Sequence, residues 1–230
     1  MVDLAPWDRM LQEYVDDQGR VDYRRWRGNA DDLDRWLASV SRLDLRVLGR
    51  NSAIAFLINL YNALTIQQVL QRYPLRSIRP RILGMPNWLA FLRFFSRPVY
   101  ELNGRPLSLN AIEHDLLRSQ YPEPRIHFAL VCASEGCPLL RAGAYFPDMV
   151  AMQLEEDAYR FINNPDKVRY EAASNTLFCS KIFQWYEQDF LTVAPSIPAY
   201  INIYRTGLQP PAAVKLAYLP YSWRLNQRTS

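Results

Sequence analysis

The sequence has few of the residues on which several enzyme classes depend. Among its 230 residues are eight Gly, three Cys and two His. No glycine-rich phosphate loop, no G-x-S-x-G and no H-E-x-x-H occurs, which removes the motif-bearing nucleotide hydrolases, serine hydrolases and zincins. Three cysteines, an odd and small number, argue against a secreted disulfide scaffold and for a reducing compartment. No run of eighteen apolar residues is present, so no transmembrane helix is expected. The start, Met1 to Asp8, lacks a basic n-region and an apolar h-region, so no signal peptide is expected. A cytoplasmic location follows as the expectation, or a periplasmic one had a leader been removed. No repeat or low-complexity tract is visible.

Charge is nearly balanced, 27 basic against 23 acidic side chains. A nucleic-acid binder shows a dense basic stripe, and none is present, so nucleic acid is not expected as a partner. The richest stretch, Arg72 to Arg97, interleaves arginines with Trp88, Phe91, Phe94 and Phe95. Pro74, Pro80 and Pro86 argue against one continuous helix there, which reads as a solvated loop with an amphipathic turn. Leu83 to Phe95 is apolar enough to touch a membrane surface or a protein partner.

Half of the residues are hydrophobic and 13% are aromatic, ample for a core without disulfide or metal. Apolar spacing predicts helices over 6–15, 29–40 and 51–73, the last apolar on most sides and therefore buried. Asn103-Gly104 between apolar segments predicts a hairpin. Ser108 caps a helix over 109–119. The near-continuous apolar run Arg125 to Cys132 reads as a buried internal strand. A helix over 147–163, a hairpin of 168–170 with 176–178, a helix from Ser180 through Phe190, a short helix over 199–204 and a final strand within 215–225 complete the order. The expected fold is α+β and one domain over 1–230, with a mostly antiparallel sheet packed on the buried helix 51–73.

Chemistry concentrates between His127 and Pro138. Cys137 follows a Gly-containing loop and precedes Pro138, which favours an extended backbone at Cys137. A thiol at such a loop is placed to act as a nucleophile once a base makes it a thiolate. His127 is the nearest base, and Glu113 the best group to orient its imidazole, with Asn59 or Asn62 as substitutes. Backbone amides near Gly136 and Cys137 would serve as oxyanion donors. Asn59, Asn62, His114, Ser134 and Cys132 are the candidate binding residues around this catalytic set. Glu113 and His114, as neighbours on a helix, are not expected to face one small site together. Cys132 is five residues from His127, an odd separation that sends the two to opposite faces of a strand and makes Cys132 a core residue. The plainer alternative is that His127 and both thiols are inert core residues. Zinc held by Cys132, Cys137, His127 and His114 is a further alternative, although Cys-x4-Cys is loose for zinc. No metal and no other cofactor is called for.

These residues carry a family resemblance. Phe56 to Ala63, Leu107 to Arg118, Ile126 to Pro138, Ser180 to Phe190 and Tyr218 to Asn226 resemble the family catalogued as domain of unknown function 547. The resemblance covers nearly the whole chain, and members usually carry Trp where Leu57 stands and Asp where Ser222 stands. It implies likeness to papain- and transglutaminase-like cysteine hydrolases, and hence acyl chemistry on a peptide or small-molecule substrate. It equally admits a non-catalytic scaffold on a degenerate hydrolase fold, binding a protein partner.

Overall fold

The computed structural model describes residues 2–82 and 85–228. The chain mixes helices with three small sheets, an α+β arrangement. Three helices open it: α1 (Ala5–Tyr14), α2 (Tyr23–Arg27) and α3 (Ala30–Val40). Trp7, Met10, Leu11 and Tyr14 recur at helical spacing and are buried, as are Leu33, Trp36, Leu37 and Val40. The rings meet across the helices: Trp7 stacks on Trp36 with centroids 5.5 Å apart and tilts against Trp26 at 6.1 Å.

The helix α4 (Arg50–Arg72) is the axis of this first core, with seventeen buried residues from Ala53 to Leu70. By length and composition it could cross a membrane, but 94% of its apolar window is covered by the rest of the fold. It is the core helix expected from its all-round apolar surface. Two amides on it are structural. Asn59 accepts from Trp7 Nε1 and from the Tyr145 amide and donates to the Tyr145 carbonyl. Asn62 donates to the Ala129 carbonyl at 3.0 Å and accepts from the Val131 amide at 2.9 Å.

The next segment holds the two-residue strands β1 (Arg81–Ile82) and β2 (Met85–Pro86), then α5 (Trp88–Ser96). Residues 83 and 84, the start of the apolar stretch singled out in the sequence, lie outside the described residues. The prolines end before α5 rather than preventing it, and Asn87 caps it by accepting from the Ala90 amide. The hairpin β3 (Tyr100–Leu102) and β4 (Arg105–Leu107) forms as expected. Asn103 and Gly104 both have positive φ, 49° and 78°, the geometry that a two-residue turn requires.

Ser108 accepts from the Ala111 amide and starts a helix whose middle, Ala111–Arg118, widens to π geometry. Such widened turns are common at functional sites.

The expected strand over 125–132 does not form. Pro124–Phe128 is a 3-10 turn, with Pro124 in its first turn and Glu123 accepting from the Arg125 amide, and a segment without regular structure follows to Cys132. Its backbone hydrogen bonds run within its own turn, to Asn62 and, at Cys132, to Cys137 Sγ, so it is largely buried without belonging to a sheet.

The remaining elements are α6 (Val150–Ile162), β5 (Val168–Glu171), β6 (Thr176–Cys179), α7 (Ile182–Trp185), α8 (Glu187–Phe190), α9 (Ile197–Tyr204) and β7 (Lys215–Tyr218). The expected helix from Ser180 to Phe190 is interrupted at Tyr186, and the final strand ends at Tyr218. β5 and β6 pair antiparallel and β6 and β7 parallel. The α7–α9 helices fill the long crossover that a parallel pair demands.

This sheet is not packed on α4 as the sequence suggested. Val168, Leu177 and Cys179 belong to a second core with Phe128, Phe161, Phe183, Phe190 and Tyr200, whereas the buried apolar residues of α4 from Ile54 to Leu70 lie in the first. The short strands give the sheet too little area to cover a 23-residue helix.

Candidate active site

The segment 124–138 runs along the seam between the two cores: Phe128 sits in the second, while Ile126, Ala129 and Cys137 sit in the first. The loop after it is pinned on two sides. The C-terminal tail pairs with it, since Glu135 and Gly136 donate their amides to the Arg224 and Ser222 carbonyls, and the Asn226 amide donates to Ala133. Lys167, just before β5, donates its ammonium to the carbonyls of Glu135, Gly136 and Cys137 at 2.8, 3.0 and 2.8 Å. Burial lowers the pKa of this lysine.

Ala133 has φ of 62°, a left-handed conformation unusual for a residue with a Cβ. The kink turns the chain back so that the Cys132 amide donates to Cys137 Sγ at 3.1 Å. Two hydroxyls join them. Ser134 Oγ lies 3.4 Å from Cys132 Sγ and 3.3 Å from Cys137 Sγ, and Tyr221 OH lies 3.6 Å and 3.2 Å from the same two atoms. Burial pushes the Cys137 thiol up, but hydrogen bonds from Cys132, Ser134 and Tyr221 outweigh it and bring its pKa down to about 6. Cys132 moves well up, because the neighbouring Cys137 sulfur and its loss of solvation both disfavour its thiolate. The tightness of this turn is set by Gly136, where a Cβ would stand 2.6 Å from the Tyr221 ring and 2.8 Å from the Ser222 carbonyl.

Exposure reverses the sequence expectation for the two thiols. Cys137 is the more buried, at 3% exposure, and Cys132 is partly exposed. The alternation argument for Cys132 fails because no regular strand joins it to His127. The amides expected to serve as oxyanion donors are also engaged, Gly136 with Ser222 and Cys137 with Ser134.

His127 donates from Nε2 to Asp189 Oδ2 at 2.7 Å. Asp189 also receives a two-pronged contact from Arg118, 2.6 Å to Oδ2 and 2.8 Å to Oδ1. Burial raises the Asp189 pKa, but the Arg118 and His127 hydrogen bonds carry it well below the usual carboxylate range. Burial lowers the His127 pKa against the opposing pull of Asp189, so the imidazole is neutral at pH 7 and its other nitrogen, Nδ1, is the basic one. Tyr186 stacks on the imidazole with centroids 3.8 Å apart. Among the described residues no hydrogen bond joins His127 to either sulfur.

Glu113 is buried and lines the same cavity wall as Tyr186, the ring that stacks on the imidazole, but among the described residues no hydrogen bond joins it to His127. The group directly on the imidazole is Asp189. His114 accepts from Arg118 at 2.9 Å through Nδ1.

Several of these groups border one cavity of about 750 Å³. Glu113, His114, His127, Cys132 and Cys137 line it together. Both neighbours on the π-helix thus face the same space, which is larger than the small site assumed from sequence. Ser134 supports the thiols from behind. Asn59 and Asn62 do not line the cavity, being used to tie α4 to 129–131 and to Tyr145. The opposite wall is aromatic, with Trp88, Phe91, Phe95, Trp185 and Trp223. Arg79 lies over Trp88 and Trp223 and is in no salt bridge among the described residues. Also among the described residues, no group of three His, Cys, Asp or Glu side chains is placed to hold a metal ion.

Sequence reasoning did not single out Asp189, Tyr186, Tyr221 or Lys167. Asp189 and Tyr186 stand in the 180–190 segment and Tyr221 in the closing segment, each flagged only as part of a resemblance.

A family model described as "Protein of unknown function, DUF547" matches residues 45–162, just over half of the chain. The match contains Glu113, Arg118, His127, Cys132 and Cys137, and it ends before Lys167, Asp189 and Tyr221. No curated protein and no solved structure matches.

Proposed function

The chain belongs to the DUF547 family of proteins of unknown function, and from that premise we propose that it is a cysteine-dependent hydrolase or acyl transferase with Cys137 as nucleophile. One observation carries this reading. Cys137 Sγ receives the Cys132 amide and stands beside two hydroxyls, which lower its pKa to about 6 on the wall of a 750 Å³ cavity. A thiol so placed is a thiolate at neutral pH without help from a base.

The thiolate adds to the carbonyl carbon of an ester, thioester or amide. The bond to the leaving group breaks, that group takes a proton from water, and a thioester remains on Cys137. His127, neutral and held through Nε2 by Asp189, takes a proton at Nδ1 from the water or acceptor that attacks the thioester. The thiolate leaves, and the imidazolium returns its proton to solvent. Donors for the developing oxyanion come from side chains on the wall, such as Asn110, Tyr61 and Lys181. The aromatic wall with the unpaired Arg79 suits an acyl group with an aromatic or alkyl body and an anionic end. The family resemblance, which implies likeness to papain- and transglutaminase-like hydrolases, agrees with this reaction class.

The test is acyl trapping. A series of p-nitrophenyl esters with short, long-alkyl and aromatic acyl groups is mixed with protein and acid-quenched for intact-mass analysis. An adduct mapped to Cys137, absent from Cys137→Ala, is expected. No adduct with any ester overturns the reading and favours a protein-interaction module, for which α5 offers Leu89, 79% exposed, and its neighbour Trp88.

A further inference from the structure

Acyl transfer uses one thiol, yet the site holds two. Cys132 and Cys137 touch the same two hydroxyl oxygens, Ser134 Oγ and Tyr221 OH, at 3.2–3.6 Å. The Cys132 amide donates to the Cys137 sulfur at 3.1 Å. Both side chains line the cavity. The third cysteine, Cys179, is fully buried in the second core. A thiol pair needs neither this proximity nor a shared opening to pack as small apolar residues.

We propose that Cys132 and Cys137 form a dithiol–disulfide couple that reacts with low-molecular-weight disulfides entering the cavity. The kink at Ala133 and the Lys167 ammonium on three successive carbonyls hold the thiols side by side, so little chain movement is needed to join them. The two sulfurs have unequal roles. Cys137 carries the negative charge and attacks, and Cys132 keeps its proton until the second step.

The Cys137 thiolate attacks one sulfur of the small disulfide, the S–S bond breaks, and one small thiolate leaves. A mixed disulfide stands on Cys137. Cys132 gives its proton to a departing thiolate and attacks Cys137 Sγ. The Cys132–Cys137 bond forms and the second small thiol is released. One disulfide is reduced to two thiols, one protonated by Cys132 and the other by water, and the protein dithiol is oxidised. Arg79 and Lys181 at the cavity favour an anionic disulfide. This activity goes beyond acyl transfer and differs from it in requiring Cys132.

The experiment treats the reduced full-length protein with oxidised glutathione at neutral pH, followed by acid quenching, intact-mass analysis and non-reducing peptide mapping. Wild type is expected to lose two hydrogens and to yield a peptide linking Cys132 to Cys137. Cys132→Ser is expected to stop at one glutathione on Cys137. Cys137 should react at least about tenfold faster than Cys179. The wild-type measurement needs no variant to fold. The proposal is overturned if wild type accumulates the same glutathione adduct as Cys132→Ser and never closes the ring, or if it does not react. Acyl trapping on wild type keeps the two readings apart: an acyl adduct on Cys137 without ring closure overturns the couple alone, and ring closure without an acyl adduct overturns acyl transfer alone.

Discussion

Asp189 holds the Nε2 of His127 at 2.7 Å from sixty-two residues further along the chain, while Arg118 grips the same carboxylate through two contacts. The imidazole is thereby fixed in one tautomer, with Nδ1 as its free base. The Asp189 hydrogen bond raises the His127 pKa against burial. Asp189→Asn removes that contribution. The His127 pKa should fall further below the ordinary histidine value, and a proton NMR titration of the ring should show it. An unchanged titration would mean that the carboxylate does not govern the imidazole.

The thiolate assignment predicts a pH profile. Alkylation of Cys137 by iodoacetamide should rise through a midpoint of about 6 and then level off, whereas an ordinary thiol keeps gaining reactivity up to about 8.5. Cys179, pushed up to about 12 by burial, should stay unlabelled throughout. Tyr221→Phe deletes one of the hydroxyls that lower the Cys137 pKa, so its midpoint should move upward. Peptide-resolved mass analysis over pH 4–9 reads all three.

Gly136 lets the loop lie against Tyr221. Gly136→Ala would put a Cβ 2.6 Å from that ring, and overpacking of this kind costs about 1–3 kcal/mol. The melting temperature should drop by several degrees. The same displacement should also raise the midpoint of Cys137 alkylation, because Tyr221 OH moves off the sulfur. A lower melting temperature with an unchanged midpoint would show that the loop and Tyr221 are not coupled.

Asn62 satisfies two buried backbone groups at once. Asn62→Ala leaves both unpaired at about 1–3 kcal/mol each, so roughly 2–6 kcal/mol of stability should go. Urea unfolding followed by circular dichroism measures it. A loss below about 1 kcal/mol would mean that water replaces the amide.

Local signals carried much of the architecture. The all-round apolar surface of α4, the Asn103-Gly104 turn and the serine cap before the π-helix each act within a few residues, and each is visible in the chain. The strand over 125–132 was misread for a physical reason. A fully buried apolar run looks the same whether a neighbouring strand or a side-chain amide satisfies its backbone, and here Asn62 does so. The candidate site was legible as a cluster of His and Cys between 127 and 137. Its other half was not. Asp189 and Tyr221 reach the cluster across 62 and 84 residues, and only the crossover through α7 and α8 and the return of the tail bring them there. The relation of the two thiols was lost with the strand, since side-chain alternation holds no meaning across the left-handed turn at Ala133.

The seam on which the site lies links the stabilities of the two halves. Phe128 anchors in one core and Ala129 in the other, and Lys167 ties the cysteine loop to the first residues of β5. Neither core can open without disturbing the cavity wall, so a molecule bound there opposes both openings. Amide hydrogens of β5 and β6, which do not line the cavity, should therefore exchange more slowly when it is filled, in step with those of α4.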